Sequence, residues 1–256
     1  AVMTLESGKR AHLGSAMSII EIIRVLYDDV LNVNPNNLND LNRDRFILSK
    51  GHGCLALYAL LADKKFFDKK VLRSASKFNS ILGGHPEFGK VPGVEASTGA
   101  LGHGPAIGVG MAISAKLNKL NYKTFAIVGD GEINEGSFWE SSMIASKHKL
   151  NNFHIIVDYN KIQSYGKTKE VLDLEPLRYK LESFGYKVSE INGHNVNQLK
   201  KYFKIIKNNK EKPTALICHT IKGKGFPFAE NNPYWHHKNF FTDKEVKEIN
   251  KYLGKK

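Results

Sequence analysis

The chain has 256 residues, 41% of them hydrophobic, and a formal net charge of +13. That length and apolar content can fill one large core, and no apolar run approaches the roughly 20 residues that cross a bilayer, so a membrane protein is not expected. The basic balance comes from lysines scattered among asparagines (Asn36-Asn37, Asn151-Asn152, Asn208-Asn209) without a single tract or an aromatic-interleaved RNA-binding signature, which argues against nucleic acid as a partner.

The first residues, Ala1-Val2-Met3-Thr4, lack the charged and apolar regions of a signal peptide, and Cys54 and Cys218 stand apart with no CxxC pair. A soluble protein of a reducing cytoplasm, with neither disulfide framework nor zinc, is the expectation.

In chain order, residues 16–31 read as a helix, because Ile19, Ile20, Ile23, Leu26, Tyr27 and Val30 recur at spacings of three and four. A short strand is expected at 45–48, a helix at 53–62 and another after Asp68. Residues 83–104 are rich in glycine, with Pro86 and Pro92, and show little periodicity; loops of that length inside a compact domain usually carry function. Residues 105–118 form a helix of small side chains (Ala106, Gly108, Gly110, Ala112, Ala115) that lets another backbone or a ligand approach. Next come a buried strand at 124–128, a helix at 135–149 and a second buried strand at 153–158, together a βαβ unit. A helix at 175–184, a strand at 186–191, an amphipathic helix at 196–207 and a strand at 214–219 follow, then an irregular stretch at 222–240 and a short charged helix. The alternation predicts an α/β fold: a single domain with a mostly parallel sheet and helices on both faces, without repeat or linker.

Function is legible where the strand at 124–128 ends in Gly129-Asp130-Gly131. Ligands of open α/β sheets sit at such carboxyl ends; the glycines allow a sharp turn and a close approach to phosphate. The next strand ends at Asp158-Tyr159-Asn160, which would bring Asp130 and Asn160 to one edge as oxygen donors for a hard cation. Magnesium takes about six oxygens; a backbone carbonyl just after Asn160, such as that of Ile162, offers a third, and a diphosphate offers more. Taken alone, however, Gly129-Asp130-Gly131 is better read as a turn, and Asn160 as a cap or turn residue.

Further segments change that balance: His12-Leu13-Gly14, Ser49-Lys50-Gly51-His52, Gly84-His85-Pro86, the run 92–99, Leu101-Gly102-His103-Gly104, the run 129–136, Asp158-Tyr159-Asn160-Lys161, Lys222-Gly223-Lys224-Gly225 and Trp235-His236. In this order the chain resembles the transketolase family, and in particular its split members that carry only the diphosphate-binding domain for thiamine diphosphate. Each tripeptide is weak alone; the ordered set is specific.

The resemblance implies that Asp130, Asn160 and the carbonyl of Ile162 hold Mg2+ (or Ca2+ or Mn2+), with His52, Gly102, His103, Gly129, Gly131 and Glu132 around the diphosphate. His12, His52, His85 and His236 would line the channel to the cofactor's reactive carbon, a task suited to imidazoles, which both give and take protons. His148, His154 and His194 are expected to be structural. Glu135, at the start of the helix after the metal turn, would face a partner chain and join a carboxylate network between active sites; the bland account is a favourable charge at a helix N-terminus.

Two departures from the family pattern leave the substrate open: Leu13 stands where transketolases commonly have proline, which makes the early segment look more like deoxyxylulose-phosphate synthase, and His103 stands where glutamine is frequent. The cofactor's thiazolium carbon would ionise, attack a ketose and pass a two-carbon ketol unit to an aldose. In the family that ionisation needs a glutamate in a second, pyrimidine-binding domain, which also supplies most phosphate-gripping residues. A C-terminal partner subunit carrying that domain is therefore expected, in an α2β2 assembly acting on sugars or sugar phosphates. Two other readings stay open from the sequence: an α-like subunit of a 2-oxo acid dehydrogenase, and a non-catalytic cofactor-binding scaffold.

Overall fold

The computed structural model describes residues 12–237, 241–252 and 254; the Ala1-Val2-Met3-Thr4 start and residues 238–240 of the irregular stretch lie outside them. Five strands form one sheet: β1 (Arg45–Leu48), β2 (Thr124–Gly129), β3 (Phe153–Tyr159), β6 (Lys187–Asn192) and β7 (Thr214–His219), in the order β1-β2-β3-β7-β6. Every neighbouring pair is parallel. A parallel sheet needs cover on both faces, and the strand sequences supply it by alternation. Phe46, Leu48, Phe125, Ile127, Ile156, Leu216 and Cys218 point into one core. Ile47, Ala126, Val128, Ile155, Val157, Ala215 and Ile217 point into the other.

On the first face lie α1 (Leu13–Met17), α2 (Ile20–Val25), α3 (Cys54–Asp63) and α8 (Val196–Ile206). Leu199, Tyr202, Phe203 and Ile206 give α8 its buried stripe, and Asn195 caps it by accepting from the Gln198 N–H at 3.0 Å. The second face is covered by α4 (His103–Leu117), α5 (Gly136–Lys147) and α7 (Leu177–Ser183). Close contact of α4 with the sheet depends on its small residues, as Gly108 sits against Phe153 and Thr124. Among the described residues no helix is long and apolar enough to cross a membrane.

The expected helix at 16–31 is corrected to three pieces. It starts at Leu13, breaks at Ser18-Ile19 and ends in a single π turn at Leu26–Val30. At the break the Ser18 hydroxyl turns inward to Asp158, 2.7 Å away, a tertiary contact that apolar spacing does not register. The segment after Asp68 is a 3₁₀ stretch, Lys69–Ser74, capped by the Asp68 carboxylate on the Lys70 N–H. The β4 (Ile162–Gln163) and β5 (Gly166–Lys167) hairpin and the turn of helix α6 (Thr168–Val171) add to the expected elements. A last helix, α9, runs Asp243–Tyr252.

Register places the site. Gly129 pairs with Asp158, and Asp158 and Tyr159 pair with Cys218 and His219. The carboxyl ends of β2, β3 and β7 are thus level, with Asp130, Asn160 and Thr220 projecting just beyond them.

Candidate active site

Asp158, the next-to-last residue of β3, has no solvent exposure. A carboxylate there requires partners, and four are present: the Lys50 ammonium forms an ion pair with it, the Ser18 and Thr220 hydroxyls donate to it, and the Asn160 amide Nδ2 donates at 3.0 Å. Burial pushes its carboxyl pKa up, but Lys50 and the hydroxyl donors outweigh that and hold it below the ordinary range. The same contacts orient Asn160. Because Nδ2 is spent on Asp158, Oδ1 faces the other way, accepting from the Ile162 N–H at 3.1 Å.

Asp130 stands beyond the end of β2 and is buried to 3% exposure. Its two oxygens accept from the N–H groups of Gly131 and Lys161. Burial, reinforced by the negative charge of Asp158, raises its pKa to about 6. Beside it the Lys222 ammonium, 2% exposed, donates to the Ile162 carbonyl at 2.7 Å; burial and Lys50 pull its pKa down to about 8. Carboxylate, amide oxygen and backbone carbonyl are a hard-oxygen donor set, set in a buried pocket whose carboxyl is short of positive field and whose carbonyl already attracts one cation. The residues fit a divalent metal and the diphosphate that would share it. Among the described residues no cluster of three or more His, Cys, Asp or Glu offers a rival metal centre.

The glycine-rich loop expected at 83–104 runs along β1, from the strand's amino end at Glu95 to its carboxyl end at Thr98. Tyr58 of α3 donates to the His85 carbonyl at 2.8 Å, the Thr98 hydroxyl donates to the Leu48 carbonyl at 2.8 Å, and Glu95 pairs with Arg43 and Arg45. Gly102 ends the loop with φ +80°, where an added Cβ would lie 2.6 Å from the Glu135 Cβ; only glycine fits there. Its N–H donates to Glu132 at 2.9 Å.

Glu132 is buried beside this turn. Its carboxylate turns inward and accepts from Ser49, Gly102 and Gly129, tying the segment after β1, the end of the glycine-rich loop and the end of β2 together. His103 is exposed, its Nδ1 3.1 Å from the Leu101 carbonyl. Glu135 stands at the start of α5 as its N-cap residue, in extended conformation and with its side chain exposed.

The four channel histidines come together. The ring of His12 lies 5.4 Å from that of His52, 6.3 Å from His85 and 5.7 Å from His236, although they belong to four distant segments. The contact between segments is direct, since the Gly223 N–H donates to the Gly14 carbonyl at 3.0 Å. Burial, with the charges of His237, His85 and the lysines for His12 and of Lys222 and His12 for His236, lowers both pKa values to about 3. These rings are neutral at pH 7, each with one donor and one acceptor nitrogen for sugar hydroxyls. A cavity of about 350 Å³ opens beside them, bordered by His12, His52, His85 and His237.

His237, stacked 4.3 Å from His12, is a site residue that the motifs leave out; a second histidine beside Trp235-His236 is its signal in the sequence. Lys50, Asp158 and Lys222 lie within the motifs, but their spacing gives them no role. His154 is a core residue, bonded to the Thr214 hydroxyl at 2.8 Å and packed on Phe125. His194 accepts from the Ile221 N–H.

Comparison with known proteins matches this geometry. The family model for the transketolase, thiamine diphosphate binding domain, covers residues 1–256. An apulose-4-phosphate transketolase subunit from Phocaeicola vulgatus is 43% identical over 229 residues, covering 90% of this chain and 81% of that protein. The 6-deoxy-6-sulfo-D-fructose transketolase subunit SqwG of a Clostridium species is 38% identical over 219 residues, or 86% of this chain and 80% of that protein. The structure of transketolase from Leishmania mexicana superposes with a TM-score of 0.91 at 28% identity, covering 99% of this chain but 39% of that one. With its parallel sheet, its level strand ends and its full-length family match, the chain belongs to the transketolase family, as a thiamine diphosphate binding domain.

Proposed function

We propose that this chain is the diphosphate-gripping subunit of a two-chain transketolase, which moves a two-carbon ketol unit from a ketose to an aldose. The observation that carries the reading is the convergence of His12, His52, His85 and His236 beside the oxygen donors at the ends of β2 and β3. Asp130, Asn160 and the Ile162 carbonyl would hold Mg2+ and through it the diphosphate. Lys222, already aimed at that oxygen set, would add positive charge next to the phosphates. Bound thiamine diphosphate would supply the nucleophilic carbon and the electron sink. The histidines bind and orient sugar hydroxyls and exchange protons with them.

The pyrimidine-binding residues are assigned to a partner subunit, in an α2β2 assembly of the cytoplasm. Support comes from relatives whose own names describe them as transketolase subunits. Those names also suggest sugar phosphates or sulfonated sugars as substrates. Exposed Glu135 is placed toward a neighbouring subunit. The reading as a 2-oxo acid dehydrogenase subunit loses to the histidine set, since decarboxylation does not call for several contacts to sugar hydroxyls. A non-catalytic scaffold is disfavoured by the complete donor set.

The test is reconstitution with the neighbouring-gene subunit, thiamine diphosphate and magnesium, assayed with ketose phosphates and with pyruvate. Ketol transfer that requires both chains is expected. Turnover of pyruvate alone, or full activity from this chain alone, would overturn the reading.

A further inference from the structure

Lysines that lie scattered along the sequence are gathered by the fold. In a parallel sheet every segment that leads into a strand comes to the amino edge, opposite the carboxyl ends that carry Asp130 and Asn160. With seven residues in β3, the two edges lie roughly 20 Å apart. The segments that lead into the five strands are 31–44, 118–123, 148–152, 184–186 and 207–213. Lys119, Lys149, Lys207, Lys210 and Lys212 stand in them, exposed, with Lys147 and Lys187 at the adjoining ends of α5 and β6. Among the described residues none of these forms an ion pair, whereas Lys64, Lys69 and Lys200 elsewhere do. Carboxylates are scarce here. Asp44 is buried, its two oxygens taken by the Asn32 and Lys123 N–H groups, which leaves Asp40 and Glu211 in those segments. Helix C-termini meet at this edge and bring a negative pole, but two other ammoniums already answer it: Lys123 donates to the Lys207 carbonyl at 2.6 Å, and Lys116 to the Lys149 carbonyl at 2.7 Å. The remaining lysines therefore present their charge outward. Among them protrude Leu41, Leu117 and Ile205, which are 65%, 78% and 57% exposed.

We infer that this amino edge rests on an anionic lipid surface, its lysines against the phosphates and its three aliphatic side chains at the boundary between headgroups and acyl chains. The register makes the edge broad and level: Arg45 pairs with Thr124, Thr124 with Phe153, His154 with Thr214, and Thr214 with Lys187. A plane of ammoniums with aliphatic side chains standing out of it suits a bilayer, where both kinds of group gain. Nucleic acid fits less well. The aromatic rings of these segments, Tyr122, Phe184 and Tyr186, are turned into the protein, so bases find no stacking platform, and protruding aliphatics gain nothing on a phosphate backbone. Attachment through this edge is peripheral, led by charge and reversible. It leaves the metal-binding and histidine edge facing solvent, and it does not depend on which reaction that edge performs.

The experiment sediments the reconstituted complex with vesicles of phosphatidylcholine alone and of phosphatidylcholine mixed with phosphatidylglycerol, at about 0.1 M and about 1 M salt. Wild type is expected to bind the mixed vesicles only, and more weakly at the higher salt. The triple variant Lys147→Glu, Lys187→Glu, Lys210→Glu should partition at least about tenfold less, with circular dichroism unchanged. Leu117→Ser with Ile205→Ser should weaken binding severalfold at both salt concentrations. A control triple in α9, Lys244→Glu, Lys247→Glu, Lys251→Glu, makes the same change in net charge on a helix whose Tyr252 packs on Phe228, and it should stay within about twofold of wild type. Ketol transfer measured without vesicles is expected to be the same in all of them. No sedimentation of wild type with the mixed vesicles overturns the inference, and so do equal losses in the two triples. Binding of duplex DNA by a complex that ignores the vesicles overturns it as well and assigns the edge to nucleic acid.

Discussion

The Asp158 carboxylate meets Ser18, Lys50, Asn160 and Thr220 in a space closed to water, so its removal leaves a buried ammonium without a counter-charge. Such a break costs about 3–5 kcal/mol, whereas replacing both charges with apolar groups is often neutral. Asp158→Ala should therefore lower the urea midpoint sharply, and the double variant Lys50→Met, Asp158→Leu should recover most of the loss. A midpoint unmoved in Asp158→Ala would mean that Lys50 has another partner. The site residues legible in the sequence are those whose chemistry is carried by their type, namely Asp130, Asn160 and the histidines. Asp158 and Lys50 are opaque because their meaning is a pairing across 108 positions, which no local spacing records.

His154 links a single ring to the pH response of the fold. Burial in β3 lowers its pKa from 6.5 to about 3, with a smaller push from Lys123. A base whose folded pKa is depressed lets the unfolded chain bind the extra proton, so stability is full above pH 6.5 and drains as the pH falls toward 3. For this group the loss between about pH 7 and about pH 5 is roughly 2 kcal/mol. Urea titrations at the two pH values should show it. His154→Phe should flatten the slope, and an equally steep slope in that variant would assign the acid sensitivity to other groups.

Among elements, strands are the most legible, because β2 and β3 are nearly continuous apolar runs that fill the cores on both faces. Helix ends and breaks are less so. The interruption at Ser18-Ile19 and the small β4–β5 hairpin answer to tertiary contacts, and the loop 83–104 shows glycines without saying which of them is conformationally necessary. Gly102 is: at the start of α4 it combines φ +80° with Glu135 packed against it. Gly102→Ala should cost on the order of 1–3 kcal/mol through strain and shift the segment that brings Ser49, Glu132 and the end of β2 together. Retained stability together with unchanged cofactor affinity would show that the turn relaxes freely.

At the scale of the whole molecule, level strand ends put the oxygen donors on one edge, and the loop and the chain's later irregular segment bring histidines over that edge. The fold class follows from the alternation of elements, but the gathering of His12, His52, His85 and His236 does not, because four distant segments meet only after the sheet has formed. The second half of the chemistry is assigned to another chain, so the decisive quantity is what this chain's donors do within the assembly. Thiamine diphosphate titrated calorimetrically into the reconstituted complex, with magnesium and with the metal chelated, measures it directly. Binding should depend on the metal and weaken by about a hundredfold or more in Asp130→Asn, beyond what loss of an outer-shell partner costs, with circular dichroism unchanged. Undiminished affinity in that variant, at native fold, would contradict the account.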